Sequence, residues 1–413
     1  MKTPRILLLI PTHSYRAKAF MEAAAKLKVE VVVGSDAPQA LAGVVPGRSL
    51  TVDFSDPDRS LKAILEFARD DPLDAVIPTE DETTPLAAIA SQALSLPHHP
   101  VEAVLVCRNK FLFRQILSKS GLPSPSFERL SVEADPKDVA RRISYPCVLK
   151  PLALSASRGV LRADTPDQFA SAFHRIKAIL TEPDAIARGK EEARFLLMEE
   201  YLPGREVALE GLLRDGTLRV LALFDKPDLL EGPTFEETIY VTPSRLAHNV
   251  QEKIAFTTVK ASRALGLRHG PLHAELRLNE KGIWPLEVAA RSIGGHCSKA
   301  LRFATGMSLE ELLLRHAIGA EMDTYDREDL ASGVMMIPIP KGGILQEVLG
   351  LEEARAVPSV EGIEISIKKG QPVVPLPEGS RYLGFIFARH EKPERVEAAL
   401  RESHRKLEFV ITK

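Results

Sequence analysis

Leu272-His273-Ala274-Glu275-Leu276-Arg277-Leu278 and, after a turn, Ile283-Trp284-Pro285-Leu286-Glu287-Val288-Ala289-Ala290-Arg291 are the stretches on which the reading of this chain turns. The first alternates apolar and polar side chains, the period of a strand with one buried face. The second reads as its antiparallel partner. A three-residue loop, Glu280-Lys281-Gly282, with Gly in the left-handed position pairs Asn279 with Ile283. Counting back from that pair sets Glu275 opposite Glu287 and His273 opposite Ala289, with Arg291 on the same face. Two carboxylates opposed across strands repel each other. A divalent cation turns that cost into a site, because Mg²⁺ takes one or two carboxylates together with phosphate oxygens. A four-residue loop would instead turn Glu287 to the other face and leave both acids solvated, and spacing alone keeps both readings open.

Outward from the hairpin, the N-terminal part of the chain alternates strand and helix. Residues 6–10 are apolar, 17–27 have helical spacing, 29–33 are β-branched, 58–68 are helical again, and 75–78 run into Thr79-Glu80-Asp81-Glu82-Thr83-Thr84. This pattern predicts a parallel sheet with helices on both faces. The acidic loop lies at a strand's carboxyl end, where open α/β sheets bind ligands, or else caps the next helix. Neither GxGxxG nor GxxxxGK[ST] occurs; the nearest string, Gly43-Val44-Val45-Pro46-Gly47-Arg48-Ser49, has the wrong spacing and no Lys. A dinucleotide site is therefore not expected. Gly121-Leu122-Pro123-Ser124-Pro125 breaks the chain after a helical stretch. Beyond Gly333, residues 334–340, 363–368 and 382–388 read as short strands, followed by a helix over 393–407 and a last strand over 409–412.

Composition narrows the function classes. The chain has 413 residues, 45% hydrophobic and 27% charged, with a net charge of −2. That length calls for more than one core, and the balance lacks the basic excess of nucleic-acid binders. No apolar run approaches the roughly 18 residues of a membrane helix. The apolar stretch at residues 6–10 is too short for a secretory signal. Cys107, Cys147 and Cys297 are far apart and form no CxxC pair, which fits a reducing, cytoplasmic setting.

Three further motifs carry chemistry. Arg108-Asn109-Lys110 opens a helix. Tyr145-Pro146-Cys147-Val148-Leu149-Lys150-Pro151 is an apolar strand ending in a Lys, followed by the small-residue loop Leu152-Ala153-Leu154-Ser155-Ala156-Ser157-Arg158-Gly159-Val160. Lys150 can offer phosphate a point charge, and a loop of small residues lets backbone N–H groups approach phosphate oxygens. Read alone, a Lys before Pro is an ordinary strand-end charge. Phe195-Leu196-Leu197-Met198-Glu199-Glu200-Tyr201-Leu202-Pro203-Gly204-Arg205-Glu206 runs an apolar strand into acids that, alone, would simply be solvated.

Taken in order with the hairpin, these motifs resemble the ATP-grasp superfamily, most specifically over residues 145–295. The resemblance implies α/β and α+β architecture: a Rossmann-like parallel-sheet domain over 1–106, ATP-grasp lobes over 107–323 (a small lobe about 125–200, a large lobe about 201–323), and a small β-rich domain over 324–413. It implies ATP and Mg²⁺ (or Mn²⁺) as cofactors. Lys110, Lys150, Ser157 and Gly159 would then hold phosphates. The Glu199 side chain and the Glu200 and Leu202 backbones would hold adenine, and Glu206 the ribose. Glu275 and Glu287 would be the metal ligands. Ala289 departs from the Asn common two residues past the second acid, and Glu-x-Ala-x-Arg looks like the dipeptide-forming L-amino acid ligases. Arg291 would hold the substrate carboxylate and acyl phosphate, its planar fork suiting oxyanions. Gly294, Gly295, His296, His273 and Glu237 are substrate candidates, with His296 orienting or deprotonating the amine or capping a helix. The expected activity is an ATP-dependent carboxylate–amine ligase acting on amino acids, with a homodimer as a candidate assembly. An ATP-grasp carboxylase or purine-pathway-type ligase, or a non-catalytic ATP-binding regulatory protein, is the alternative.

Overall fold

Residues 3–12, 14–37, 49–304, 306–322 and 324–413 are described by the computed structural model. Residues 43–48 of the Gly43–Ser49 string and the expected boundary residue Asp323 lie outside them. The first strands, β1 (Arg5–Leu9), β2 (Glu30–Ser35), β3 (Ser49–Thr51) and β4 (Ala75–Pro78), form a parallel sheet in the order β3-β2-β1-β4. Strand β1 is a continuous apolar run because both its faces are covered. Ile6 and Leu8 pack with Phe20 and Ala23, while Leu7 and Leu9 pack with Ile64 and Leu86. The predicted loop Thr79–Thr84 leaves β4 at the carboxyl end.

A second sheet is antiparallel: β5 (Phe127–Ser131), β6 (Cys147–Pro151), β7 (Leu161–Ala163) and β8 (Phe195–Glu200), in the order β5-β8-β6-β7. The helix Pro166–Leu180 backs it through Phe169, Phe173 and Ile176, and Thr165 caps that helix by accepting from the Gln168 N–H.

The largest sheet begins with β9 (Arg205–Arg214), β10 (Thr217–Lys226), β11 (Ile239–Thr242), β12 (Gly270–Asn279) and β13 (Gly282–Ala289). A short pair follows, β14 (Arg302–Phe303) and β15 (Met307–Ser308). The C-terminal segment supplies β16 (Ala331–Ile337), β17 (Gly343–Leu349), β18 (Val360–Ile365), β19 (Pro372–Val373), β20 (Gly384–His390) and β21 (Glu408–Thr412). The expected strands and helix are present, with β17 and β19 in addition. Three strands of this segment do not stand apart, however. β16 pairs with β11, giving one eight-stranded sheet, β13-β12-β9-β10-β11-β16-β20-β18, which runs through the expected boundary at 323/324. β19, β17 and β21 make a separate three-stranded sheet. The helix Pro393–Lys406 lies so close to β16 that a Cβ on Gly333 would stand 2.8 Å from both the Tyr240 carbonyl and Val396.

The hairpin has the expected facing pairs for a different reason. Glu275 pairs with Glu287 and His273 with Ala289, but Asn279 pairs with Gly282, so the loop is only Glu280-Lys281. A β-bulge at Leu286 inserts the residue that the shorter turn leaves out. The two offsets cancel.

Candidate active site

The carboxyl end of the parallel sheet, the antiparallel sheet, the hairpin and the C-terminal strands enclose a cavity of about 1130 Å³. Every residue singled out above as a site candidate lines it except Gly159. Gly159 has φ +73°, its N–H donates to the Pro377 carbonyl at 2.9 Å, and a Cβ there would sit 2.7 Å from the Pro151 ring. It therefore serves the shape of the loop. Its neighbour Arg158 donates to the Glu378 carbonyl at 2.9 Å and pairs with Glu182 and Asp184 at 2.6 Å each. The small-residue loop is thus tied to the C-terminal segment, and its Ser157 reaches the cavity with φ 54°.

At one end of the cavity the chain gathers lysines. Asn109 caps the helix Lys110–Lys119, its side chain accepting from the Phe111 and Leu112 N–H groups. This fixes Lys110, the first helical residue, whose ammonium donates to the Leu154 carbonyl at 2.6 Å and lies 3.9 Å from Glu287. Lys150, at the end of β6, is 2.5 Å from Glu199. Glu199 also takes the Arg114 guanidinium at 2.6 Å, and Arg114 is 1% exposed. Burial would raise the Glu199 carboxyl, but Arg114 and Lys150 outweigh it and hold the group at about 2. Its carboxylate is therefore engaged by two cations of the chain. Arg114 donates further to the Pro285 and Leu286 carbonyls, covering the edge of β13 at its bulge. Sequence reasoning missed Arg114; its one signal is a charge at i and i+3 with Leu117 on the buried face of its helix.

Next come the acids. Glu206 gives one oxygen to Arg277 at 2.5 Å and the other to Lys226 at 2.6 Å. Lys226 also donates to Glu237 and, at 3.0 Å, to Glu275. Oxygens of Glu206, Glu237 and Glu275 approach within 4.8 Å of one another, close enough for a metal. The Lys226 ammonium already stands among them. Burial opposes that charge, yet the three carboxylates raise the Lys226 pKa well above its ordinary value. Burial, followed by the charge of Glu275, pushes Glu237 up. His273 contacts Glu210 through Nδ1 at 3.2 Å and Glu275 through Nε2 at 3.6 Å. Burial disfavours its charged form, but those two acids win and raise it to about 9. Glu287, by contrast, has Lys110 at 3.9 Å as its ion-pair partner and remains one-third exposed. Facing hard oxygen donors of this kind fit a Mg²⁺ ion. Ala289, buried opposite His273, adds no donor atom.

The loop after β13 makes the remaining wall. Arg291 pairs with Asp81 at 2.7 Å and donates to the Ser292 carbonyl at 2.8 Å; its buried Nε has no partner among the described residues. The acidic loop after β4 thus both caps the next helix and meets Arg291. Buried Arg16, also unread in the sequence, ties the two loops by donating to the Thr79 carbonyl and the Ser292 hydroxyl at 2.8 Å each. His296 is held between Tyr15 and Phe385, with ring centroids 4.3 and 4.8 Å away. Burial first, and Lys299 second, pull its pKa well below the usual imidazole value, so it is a poor proton acceptor at neutral pH. Burial likewise pushes the Cys297 thiol far up, which leaves it unreactive.

Comparison with known proteins finds relatives along the chain. The ATP-grasp domain family matches residues 143–300, the ATP-grasp N-terminal domain matches 21–98, and L-amino acid ligase C-terminal domain 2 matches 335–412. The crystal structure of an L-amino acid ligase from Bacillus licheniformis superposes with a TM-score of 0.85 at 26% identity, covering 100% of both chains. Alanine–anticapsin ligase of Bacillus subtilis is 28% identical over 55% of this chain and 50% of its own, so the match spans half of that relative. D-alanine–D-alanine ligase B of Chromobacterium violaceum is 25% identical over 70% of this chain and 96% of its own. The chain belongs to the ATP-grasp superfamily. Within it, the chain is an ATP-dependent carbon–nitrogen ligase, most like the L-amino acid ligases.

Proposed function

We propose that the chain joins the carboxylate of one amino acid to the amine of another through an acyl phosphate, converting ATP to ADP and phosphate. The observation that carries this reading is the facing pair Glu275 and Glu287 in one cavity with Lys110, Lys150 and Arg291. Glu275 and Glu287 would hold Mg²⁺, which would supply positive charge against the phosphates. Lys110 and Lys150 would neutralise the same phosphates. Glu199 keeps Lys150 aimed and charged. Ser157, with the Glu200 and Leu202 backbones, would border the nucleotide; Glu206 would face the ribose while anchored by Arg277 and Lys226.

A carboxylate oxygen of the first substrate attacks the γ-phosphorus and ADP leaves. The nitrogen of the second, its ammonium proton lost to solvent, attacks the acyl carbon, and phosphate departs with the C–O bonding pair and takes up the second N–H proton. Arg291 would hold the carboxylate and then the acyl phosphate, its own orientation fixed by Asp81. Glu237 would receive the substrate ammonium, with His273 positioning Glu275. The backbone at Gly294 and Gly295 would frame the reacting carbonyl. The catalytic work is positioning and charge neutralisation.

The test is phosphate release from Mg·ATP across pairs of L-amino acids, with product mass measured. Release that needs both partners and yields their condensed mass is expected. Bicarbonate-dependent release without amino acids would assign the chain to a carboxylase class instead, and nucleotide binding with no turnover would make it a regulatory protein.

A further inference from the structure

We infer that the acid partner is an α-amino acid with a bulky apolar or aromatic side chain, which seats on a wall made by Tyr15, His296, Met336, Tyr382 and Phe385. This rests on the ligase reading and names the substrate class of that site. All five residues line the same cavity. The rings form a continuous surface: Tyr15 to His296 at 4.3 Å, His296 to Phe385 at 4.8 Å, Tyr15 to Phe385 at 6.0 Å and Tyr382 to Phe385 at 6.2 Å. Met336 extends it, with the Cys297 sulfur 4.0 Å from its own.

Phe385 and Met336 belong to the core beneath, whereas Tyr15 is 44% exposed. An aromatic side chain left open beside a cavity is apolar area that a ligand can cover. His296 contributes a neutral plane, since burial keeps it unprotonated at neutral pH. Nearby charge is spent: Glu364 pairs with Lys299 and lies 3.6 Å from His296. Lys368 and Arg381 stand at the rim, solvent-exposed, where their charge is screened.

The orientation follows from the neighbours. Arg291 and His296 share one loop, and Arg16, next to Tyr15 in the chain, donates to the Ser292 hydroxyl of that loop at 2.8 Å. The carbonyl of Thr238, next to Glu237, accepts from the Met336 N–H at 2.7 Å. An α-amino acid with its carboxylate at Arg291 and its ammonium at Glu237 therefore turns its side chain onto this wall.

The experiment uses the full chain with Mg·ATP, one acceptor (Ala), and Gly, Ala, Leu, Met, Phe, Asp or Lys as the acid partner. The residue at the N-terminus of the product identifies the acid partner. Leu, Met and Phe are expected to exceed Gly, Asp and Lys in kcat/KM by at least about 10-fold, the discrimination apolar pockets reach. Tyr15→Ala should raise KM for the Phe partner by about 10-fold while leaving KM for ATP and for Ala as acid partner within about 2-fold. Two results would overturn the inference and leave the ligase reading standing. One is a ligase that prefers Gly, Asp or Lys; the other is a Tyr15→Ala variant whose KM rises equally for every partner. Absence of amino-acid-dependent phosphate release with any of the seven would remove the ligase reading and the inference together.

Discussion

Replacing Glu199 by Gln leaves the buried Arg114 guanidinium and the Lys150 ammonium without their shared counter-charge. Breaking a buried ion pair on one side typically costs about 3–5 kcal/mol, and denaturant unfolding of Glu199→Gln should show a loss of that size. Glu287→Gln should behave in the opposite way. That residue is one-third exposed with its lysine partner at 3.9 Å, so stability should change by less than about 0.5 kcal/mol. Turnover should fall by about 100-fold or more if the carboxylate holds charge against the phosphates; retained turnover would remove Glu287 from the metal site. His273 adds a pH signature. Its folded pKa is raised from 6.5 to about 9, so the stability it contributes is fully present below pH 6.5 and is lost as pH rises towards 9. The loss is at most on the order of 3 kcal/mol, and a His273→Gln variant should lack that slope in metal-free unfolding. Residues such as Glu275, Glu287 and Arg291 were legible because chain pairing and order determine them. Arg114, Arg16 and Lys226 were not, since their meaning comes from partners on other elements, 85 and 63 positions away for the two arginines and 11, 20 and 49 for the lysine.

At the scale of elements, the helix Lys110–Lys119 depends on its cap. Asn109→Ala removes the acceptor for two N–H groups and should cost about 0.5–2 kcal/mol in thermal or denaturant unfolding, while Asn109→Asp keeps that acceptor, loses the donation to Glu192 at 3.3 Å and should recover only part of the stability. Because Lys110 is the first residue of that helix, the Ala variant should also weaken ATP binding in calorimetry. Apolar runs made the strands of the first sheet readable and alternation those of the hairpin, since pattern and burial report each other. The turn is one residue shorter than the spacing predicts because Asn279 closes it: its side chain accepts from the Lys281 N–H and the Trp284 indole, allowing a two-residue loop. Pro285, which has no N–H to give to a ladder, directly precedes the bulged residue Leu286.

For the whole molecule, a ligand gripped by several sheets should stabilise all of them at once. At about 100 times its dissociation constant, Mg·ATP should add about 2.7 kcal/mol to unfolding, visible as a rise in Tm that chelation of the metal reduces. Ending the chain before Ala331 would uncover the edge of β11 and strip Val334, Met336 and Phe385 from the central core. Such a truncation is expected to be insoluble. Sequence texture marked the C-terminal segment as distinct but could not show its strands completing another region's sheet, because pairing partners leave no local trace.

That shared sheet limits how parts of this chain could be exchanged. The regions matched by the ATP-grasp and C-terminal families end at residue 300 and begin at residue 335, yet hydrogen bonds between β11 and β16 cross that interval. An exchange of genetic segments at the apparent junction would have to rebuild a ladder within a single sheet. In this chain the two regions therefore depend on one another for a continuous sheet, and replacing either alone would have to preserve the pairing of β11 with β16.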